Sequence, residues 1–302
     1  MSFWHDHFNL LEIVMKRYYE IANLLFEINT DLKYDESDNF KEFLLDNNNH
    51  RLKKIYCNIS YIDEIEKSKL DNTSNLPMIN SYEDNLYYRY EFLKSPEGEI
   101  YAYTNFNKNN LNYVDVFIKR YCDNIKNTID IFKLLMLDKL FSLNNIILLH
   151  SSYIKYKDTA ILFTAPSGTG KSTQADLWNK YEDAEIINGD KTAIQKVNGK
   201  WYAYGLPYAG SSDIFKNIST PISTIVVLRK GSENKIKKLS LKEAFKYIYS
   251  ETIINTWDEQ FVNMVVDIIL GIINDVPVYL LSCLPNQDAV ELLKSEIGGV
   301  LI

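Results

Sequence analysis

The run Ala165-Pro166-Ser167-Gly168-Thr169-Gly170-Lys171-Ser172-Thr173 constrains the fold more than any other stretch of this chain. It follows an apolar segment, Thr159 to Phe163, and precedes a predicted helix, Ser172 to Tyr181. A strand that enters a glycine-rich loop and leaves through a helix start is what a phosphate-cradling loop requires. The backbone N–H groups of the loop and first helical turn then converge on one anion. In such a loop Lys171 reaches the β- and γ-phosphates and the Ser172 hydroxyl binds Mg²⁺. Pro166, Ser167, Gly168, Thr169, Gly170 and Thr173 complete the nucleotide cradle. The strict pattern wants glycine where this chain has Ala165. Alanine fits that corner only with a negative φ.

With 302 residues there is room for one large domain or two modest ones with a real core. The net charge of −7 argues against a nucleic-acid partner, which leaves a basic stripe on the proteins that bind it. Lys235, Lys237, Lys238, Lys242 and Lys246 cluster locally and read as a solvated face. The cysteines are Cys57, Cys122 and Cys283, with no Cys-x-x-Cys spacing. They exclude a dense disulfide framework and a Cys-rich zinc site, and suit a reducing cytoplasm. Cys283 ends the apolar run Val278 to Cys283 and reads as buried. No apolar stretch approaches the roughly 18 residues of a membrane span, so none is expected. The start, Met1 to His7, lacks a secretory pattern, and His5 and His7 read as terminal residues rather than metal ligands.

Residues 1–140 and 141–302 differ in character. In the first part, Tyr18 to Ile28 is an apolar, aromatic-rich run with mixed helix and strand signals. Leu86 to Leu93 and Glu99 to Tyr103 form hairpin-like runs around Ser95-Pro96-Glu97-Gly98, and Tyr113 to Ile118 adds a third strand. A small antiparallel β-rich recognition domain is expected, joined to the second part by a helix from about Asn124 to Leu140. Asn47-Asn48-Asn49 and Lys108-Asn109-Asn110 read as loops. In the second part, strands are expected at Asn145 to His150, Tyr153 to Lys155, Thr159 to Phe163, Ala184 to Asn188 and Thr192 to Lys196. Further strands are read at Lys200 to Tyr204, Thr224 to Leu228 and Val278 to Cys283. Helices are read at Leu241 to Ile253, Glu259 to Ile272 and Gln287 to Leu293. The fold class is α/β with antiparallel additions.

A Mg²⁺-dependent site needs a carboxylate near the loop as well as the Ser172 hydroxyl. Asp190 follows Ile186-Ile187 and lies 19 residues beyond Lys171 (190 − 171). Its alternative is a turn residue after Gly189. His150, at a strand end before the hairpin into the loop, reads either as a structural histidine or as a group beside the transferred phosphate. Arg229 and Lys230 follow a core strand. They read either as charge-neutralising groups or as a solvated strand end. The segment Tyr204 to Ser212 is dense in turn residues. Asp258 reads as a helix cap.

At these residues the chain resembles the HPr kinase/phosphorylase family, which shares a core with phosphoenolpyruvate carboxykinase. The resemblance rests on Leu149-His150-Ser151-Ser152, the hairpin into Pro166–Thr173, Ile186-Ile187-Asn188-Gly189-Asp190 and Val276-Pro277-Val278-Tyr279. It covers roughly residues 140–298, and it tips the mixed run Tyr18 to Ile28 towards a strand. It implies a carboxykinase-like P-loop core with a mixed sheet, ATP and Mg²⁺ as cofactors, and Lys171, Ser172, Asp190 and His150 at the site. The expected activity is phosphoryl transfer to a serine or threonine hydroxyl of a peptide or small protein. Homo-oligomers occur among relatives. The family usually has two adjacent acidic residues where this chain has Gly189-Asp190, so one carboxylate is missing. His150 then becomes the proton acceptor, with Arg229 a charge-neutralising group. The alternative is a nucleotide-binding regulatory or scaffold protein without efficient transfer.

Overall fold

The computed structural model describes residues 15–47, 51–74, 76–208 and 210–298. His5, His7, Asn48 and Asn49 lie outside them. The chain is an α/β fold with mixed sheets and divides into two compact units that meet in sequence at Met136/Leu137, the short segments Ile21–Asn23 and Lys41–Phe43 being grouped with the second.

In the first unit, β1 (Met15–Ile21) and β2 (Leu24–Thr30) replace the single strand expected over Tyr18 to Ile28. Ala22 and Asn23 both take positive φ, 50° and 64°. This is the hairpin-turn geometry whose twist matches the flanking strands. Asparagine visits that region readily and alanine rarely, so the turn hides inside an apolar run. A one-turn helix α1 (Asp38–Lys41), β3 (Leu44–Leu45), β4 (Lys53–Ile62), β5 (Ile79–Glu83), β6 (Tyr87–Leu93), β7 (Ile100–Asn107) and β8 (Tyr113–Lys119) follow. The strand order is β3-β1-β2-β4-β8-β7-β6-β5. The expected hairpin appears as β6 and β7, and β8 joins it antiparallel. The sheet as a whole is not antiparallel, because β4 runs parallel to both β2 and β8. A parallel pair needs a long crossover. Between β4 and β8 the strands β5, β6 and β7 supply it.

The expected helix from Asn124 to Leu140 is two short ones, α2 (Thr128–Leu134) and α3 (Leu137–Ser142). Met136 sits between them at a φ of 46°, a left-handed conformation that no α-helix can continue through. In the first unit, Phe132 of α2 closes an aromatic core with Tyr19, Phe26 and Phe40.

The second unit runs from α3 through β9 (Ile146–Tyr156), β10 (Thr159–Thr164), α4 (Lys171–Glu182), β11 (Glu185–Asn188), β12 (Lys191–Val197), β13 (Lys200–Tyr204), a 3₁₀ turn (Gly210–Ser212), β14 (Ser219–Lys230), β15 (Lys235–Lys238), α5 (Leu241–Glu251), α6 (Glu259–Asp275), β16 (Val278–Cys283) and α7 (Gln287–Ile297). The hydrogen-bonded order is β10-β9-β12-β13-β14-β16-β15, and β10 also pairs parallel with β14, which closes five strands into a ring. Two long strands make this possible. Residues 146–150 of β9 pair with β12, and residues 151–156 pair with β10. Strand β9 passes straight through Ser151 and Ser152, where a break was expected, because both hydroxyls have partners. Ser151 Oγ donates to Thr192 Oγ1 at 2.8 Å and Ser152 Oγ to the Gly189 carbonyl at 3.1 Å.

Side chains of β10 alternate between two cores, as a strand buried on both faces must. Ala160 and Leu162 join the face covered by α5 and α6, whereas Ile161 and Phe163 join the face covered by α4 and α7. Phe261, Val265, Ile268, Ile269 and Ile272 form the apolar stripe of α6 at helical spacing. Asp258 caps that helix, accepting from the Phe261 N–H at 3.0 Å, and also pairs with Lys139. The lysine-rich stretch Lys235 to Lys238 is an edge strand, exposed as a solvated face should be and charged as edge strands commonly are. Among the described residues, no helix is long and apolar enough to cross a membrane.

Helix α5 begins in a capping box, with Ser240 and Glu243 satisfying each other's orphan groups. The Lys237 ammonium, with help from Ser240, lowers the Glu243 pKa from 4.5 to about 2. The folded state thus prefers ionised Glu243. Its contribution is present above about pH 4.5 and lost as the pH falls towards 2. Thermal midpoints of wild type and Glu243→Gln are expected to differ at pH 6 (on the order of neutral, where the carboxylate is charged) and to converge on acidification.

Candidate functional site

Strand β10 delivers the chain to Ala165, which is fully buried and keeps a negative φ, so alanine fits the corner without strain. The loop from Pro166 to Gly168 is exposed. Gly168 and Gly170 have φ of 73° and 119°, and an added Cβ at Gly168 would meet nothing within 4 Å. What demands glycine there is backbone conformation rather than crowding. Gly170 stands at the N-cap of α4 and makes no side-chain cap. The N–H groups of Lys171, Ser172 and Thr173 therefore head the helix with no acceptor inside it, the first intrahelical bond running from the Gln174 N–H to the Gly170 carbonyl at 3.0 Å. Ser172 and Thr173 are exposed beside this open helix end. Lys171 is only 7% exposed, and its Nζ donates to the Ala165 carbonyl at 2.8 Å. Burial pushes its pKa down, while Glu251 and Asp190 push it back up. The ammonium is thus within electrostatic reach of both carboxylates.

A second turn faces the loop. Asn188, fully buried at the end of β11, uses all of its hydrogen-bonding capacity. Its Oδ1 accepts from the N–H groups of Asp190 (3.0 Å) and Lys191 (3.1 Å), and its Nδ2 donates to the carbonyls of Leu206 (2.9 Å) and Tyr208 (3.0 Å). The Ser151 N–H donates to the Asp190 carbonyl at 3.1 Å. Asp190 is thereby held between β11 and β12 with its carboxylate about one-third exposed, at 31%. Gly210, at a φ of 57°, leans on this side chain. A Cβ at position 210 would stand 2.8 Å from the Asp190 Cβ. Gly210→Ala is accordingly expected to lose about 1–2 kcal/mol from backbone strain alone and to shift the Asp190 carboxylate. Thermal unfolding, together with Mg²⁺-dependent nucleotide affinity, checks both effects.

His150 lies opposite Lys191 in the β9–β12 ladder, and its carbonyl accepts from Thr164 Oγ1 at 2.9 Å. Its Nε2 is 3.8 Å from Asp190 Oδ1, and its Nδ1 is 3.1 Å from Glu251 Oε2. Glu251 is a residue that sequence reading passed over. The helix expected over Leu241 to Ile253 ends instead at Glu251, and Thr252 turns away to bridge Leu149 of β9. This carries the last helical side chain to His150, 101 positions earlier in the chain. The available signal was an acidic residue near a helix C-terminus, where the helix dipole disfavours it.

His150, Lys171, Asp190 and Glu251 are thus brought together beside the glycine loop. Arg229 stands two residues beyond Val227, the β14 residue that pairs with Thr164 at the entry to the loop. It is exposed near the end of β14, level with Ser282 of β16, and among the described residues it makes no ion pair. Cys283 is only half-buried and accepts from Gln174 Nε2 at 3.4 Å, against the expectation of a buried apolar thiol. Among the described residues, no three His, Cys, Asp or Glu side chains converge to hold a metal by themselves.

No protein-family model and no curated protein matches the chain. A solved HPr(Ser) kinase/phosphatase from Coxiella burnetii is similar to it. The two share 11% identity over 50% of this chain and 93% of that one, with a TM-score of 0.29. The relation is distant, and the roles of individual residues have to be argued from this chain's own geometry.

Proposed function

We propose that this chain is an ATP- and Mg²⁺-dependent kinase that transfers the γ-phosphate to a serine or threonine hydroxyl of a peptide or small protein. The observation that carries this reading is the meeting of Lys171, Asp190 and His150 beside the open end of α4. The exposed loop, its two positive-φ glycines and the orphan N–H groups fit a triphosphate. Ser172 and Asp190 would hold Mg²⁺. Two protein ligands suffice, because Mg²⁺ usually keeps waters and takes substrate phosphate oxygens for the rest. The bound ion would supply charge neutralisation on the phosphates. Lys171, released from the Ala165 carbonyl, would do the same from the other side. The acceptor oxygen bonds to the γ-phosphorus, the bond to the ADP oxygen breaks, and the hydroxyl proton passes to His150.

On this reading residues 141–302 form a carboxykinase-like P-loop core and residues 1–140 recognise the acceptor, in a cytoplasmic protein. Arg229, at the end of β14 beside the loop entry, would neutralise charge on the transferring phosphate. Gly189 stands where a second carboxylate is expected, and this favours one alternative, a nucleotide-binding regulator without efficient transfer. Titration of ATP with and without Mg²⁺ tests both readings at once. Mg²⁺-dependent binding is expected, and its absence in folded protein overturns both. Binding followed by acceptor-dependent ADP release selects the kinase.

A further inference from the structure

Glu251 occupies a position that helix energetics disfavour. It is a carboxylate at the last residue of α5, where the carbonyl dipoles already concentrate negative charge. Its side chain is only 12% exposed. Nothing about α5 needs it there, since the helix is closed by Thr252, whose N–H donates to the Tyr249 carbonyl at 3.3 Å. The chain beyond it is tied to the strand that carries His150, through the Leu149–Thr252 bridge and the Ile253 N–H donating to the Leu148 carbonyl at 2.9 Å. The imidazole and the carboxylate are therefore mounted on two pieces of backbone that are hydrogen-bonded to each other.

We infer that Glu251 is the positioning residue of His150, accepting the hydrogen bond from its Nδ1–H so that Nε2 presents a lone pair beside Asp190. A carboxylate can only accept, so the proton in the 3.1 Å contact resides on Nδ1. The ring then has one free acceptor, Nε2, which is 3.8 Å from Asp190 Oδ1. This is the tautomer that can receive a hydroxyl proton on the loop side. The opposite tautomer would present an N–H there and could not. The inference rests on the kinase reading for its consequence in catalysis, but not for the tautomer itself.

The test combines a spectrum and a rate. Two-dimensional ¹H–¹⁵N spectra report which ring nitrogen carries the proton in nucleotide-free protein, and His150→Gln identifies the His150 signals among the four histidines. Wild type is expected to show Nδ1–H at a pH where the ring is neutral, and Glu251→Ala to lose that preference. With water as the acceptor, Glu251→Ala is expected to lower kcat for ATP hydrolysis by about 100-fold or more. Its MgATP dissociation constant should stay within about threefold, a factor worth less than 1 kcal/mol. In a His150→Gln background the same substitution should cost no further rate. Glu251→Gln, which keeps the volume, guards against a misfolded alanine variant and should show the same retention of MgATP affinity. An unchanged tautomer in Glu251→Ala, or an unchanged kcat, overturns the inference. So does a Mg²⁺-dependent loss of nucleotide affinity, which would make Glu251 a metal ligand instead. If wild type binds no MgATP, or binds it without turnover, the kinase reading fails while the ring spectra still decide this one.

Discussion

Lys171→Met is expected to weaken MgATP binding by about 100-fold without lowering the thermal midpoint of the nucleotide-free protein. The first effect follows from losing a buried cation at the end of the glycine loop. A charge-assisted bond to a phosphate oxygen contributes about 1.5–3 kcal/mol, the upper end of which is about 100-fold in affinity. The second follows from the sign of the pKa shift. Burial lowers the Lys171 pKa, and Glu251 and Asp190 restore only part of it. The folded chain therefore holds that proton less tightly than the unfolded chain, so a charged lysine works against folding near neutral pH. Methionine keeps most of the stem and removes the ammonium. It gives up one hydrogen bond to the Ala165 carbonyl, which contributes about 1 kcal/mol and acts in the opposite direction. Isothermal titration and differential scanning calorimetry separate the two quantities. A variant that loses stability together with affinity would make Lys171 a structural residue and remove the main support for the loop as a phosphate site.

Asn188→Ala is expected to destabilise the second unit by about 4 kcal/mol. The amide makes four hydrogen bonds from a fully buried position, each contributing about 1 kcal/mol net. Removing it leaves the Leu206 and Tyr208 carbonyls and the N–H groups of Asp190 and Lys191 without these partners. Against a typical domain stability of about 5–15 kcal/mol this is a large share. Chemical denaturation should show a clearly lower midpoint. Asn188→Asp offers no rescue, since it keeps the two acceptor contacts but turns carboxylate oxygens towards the two carbonyls. A loss below about 1 kcal/mol would show that the Gly189–Asp190 turn holds its shape without the amide. In that case the position of the Asp190 carboxylate rests on the remaining contacts with Ser151, Gly210, His150 and Lys191.

Much of the second unit was legible residue by residue. The glycine loop and the strands β10 and β13 depend on requirements met within a few positions, such as a positive φ or a short apolar run. The same local logic placed the cap at Asp258. It failed at Met136 and at Ala22, where a residue that rarely takes positive φ does so under tertiary constraint. It failed again at Ser151 and Ser152, which look like a strand end until Thr192 and the Gly189 carbonyl are found to satisfy them.

Sequence alone determined the alternation of strands and helices, the glycine loop with Lys171 and Ser172 at the head of α4, and the absence of a carboxylate at position 189. Only the tertiary structure decided that β4 lies parallel between β2 and β8 and that Glu251 meets His150. The difference is physical. Backbone preferences act over a few residues and leave a mark in the local pattern. A contact across 101 positions arises from where a helix stops and which strand it then pairs with, and that is settled by the packing of the whole unit.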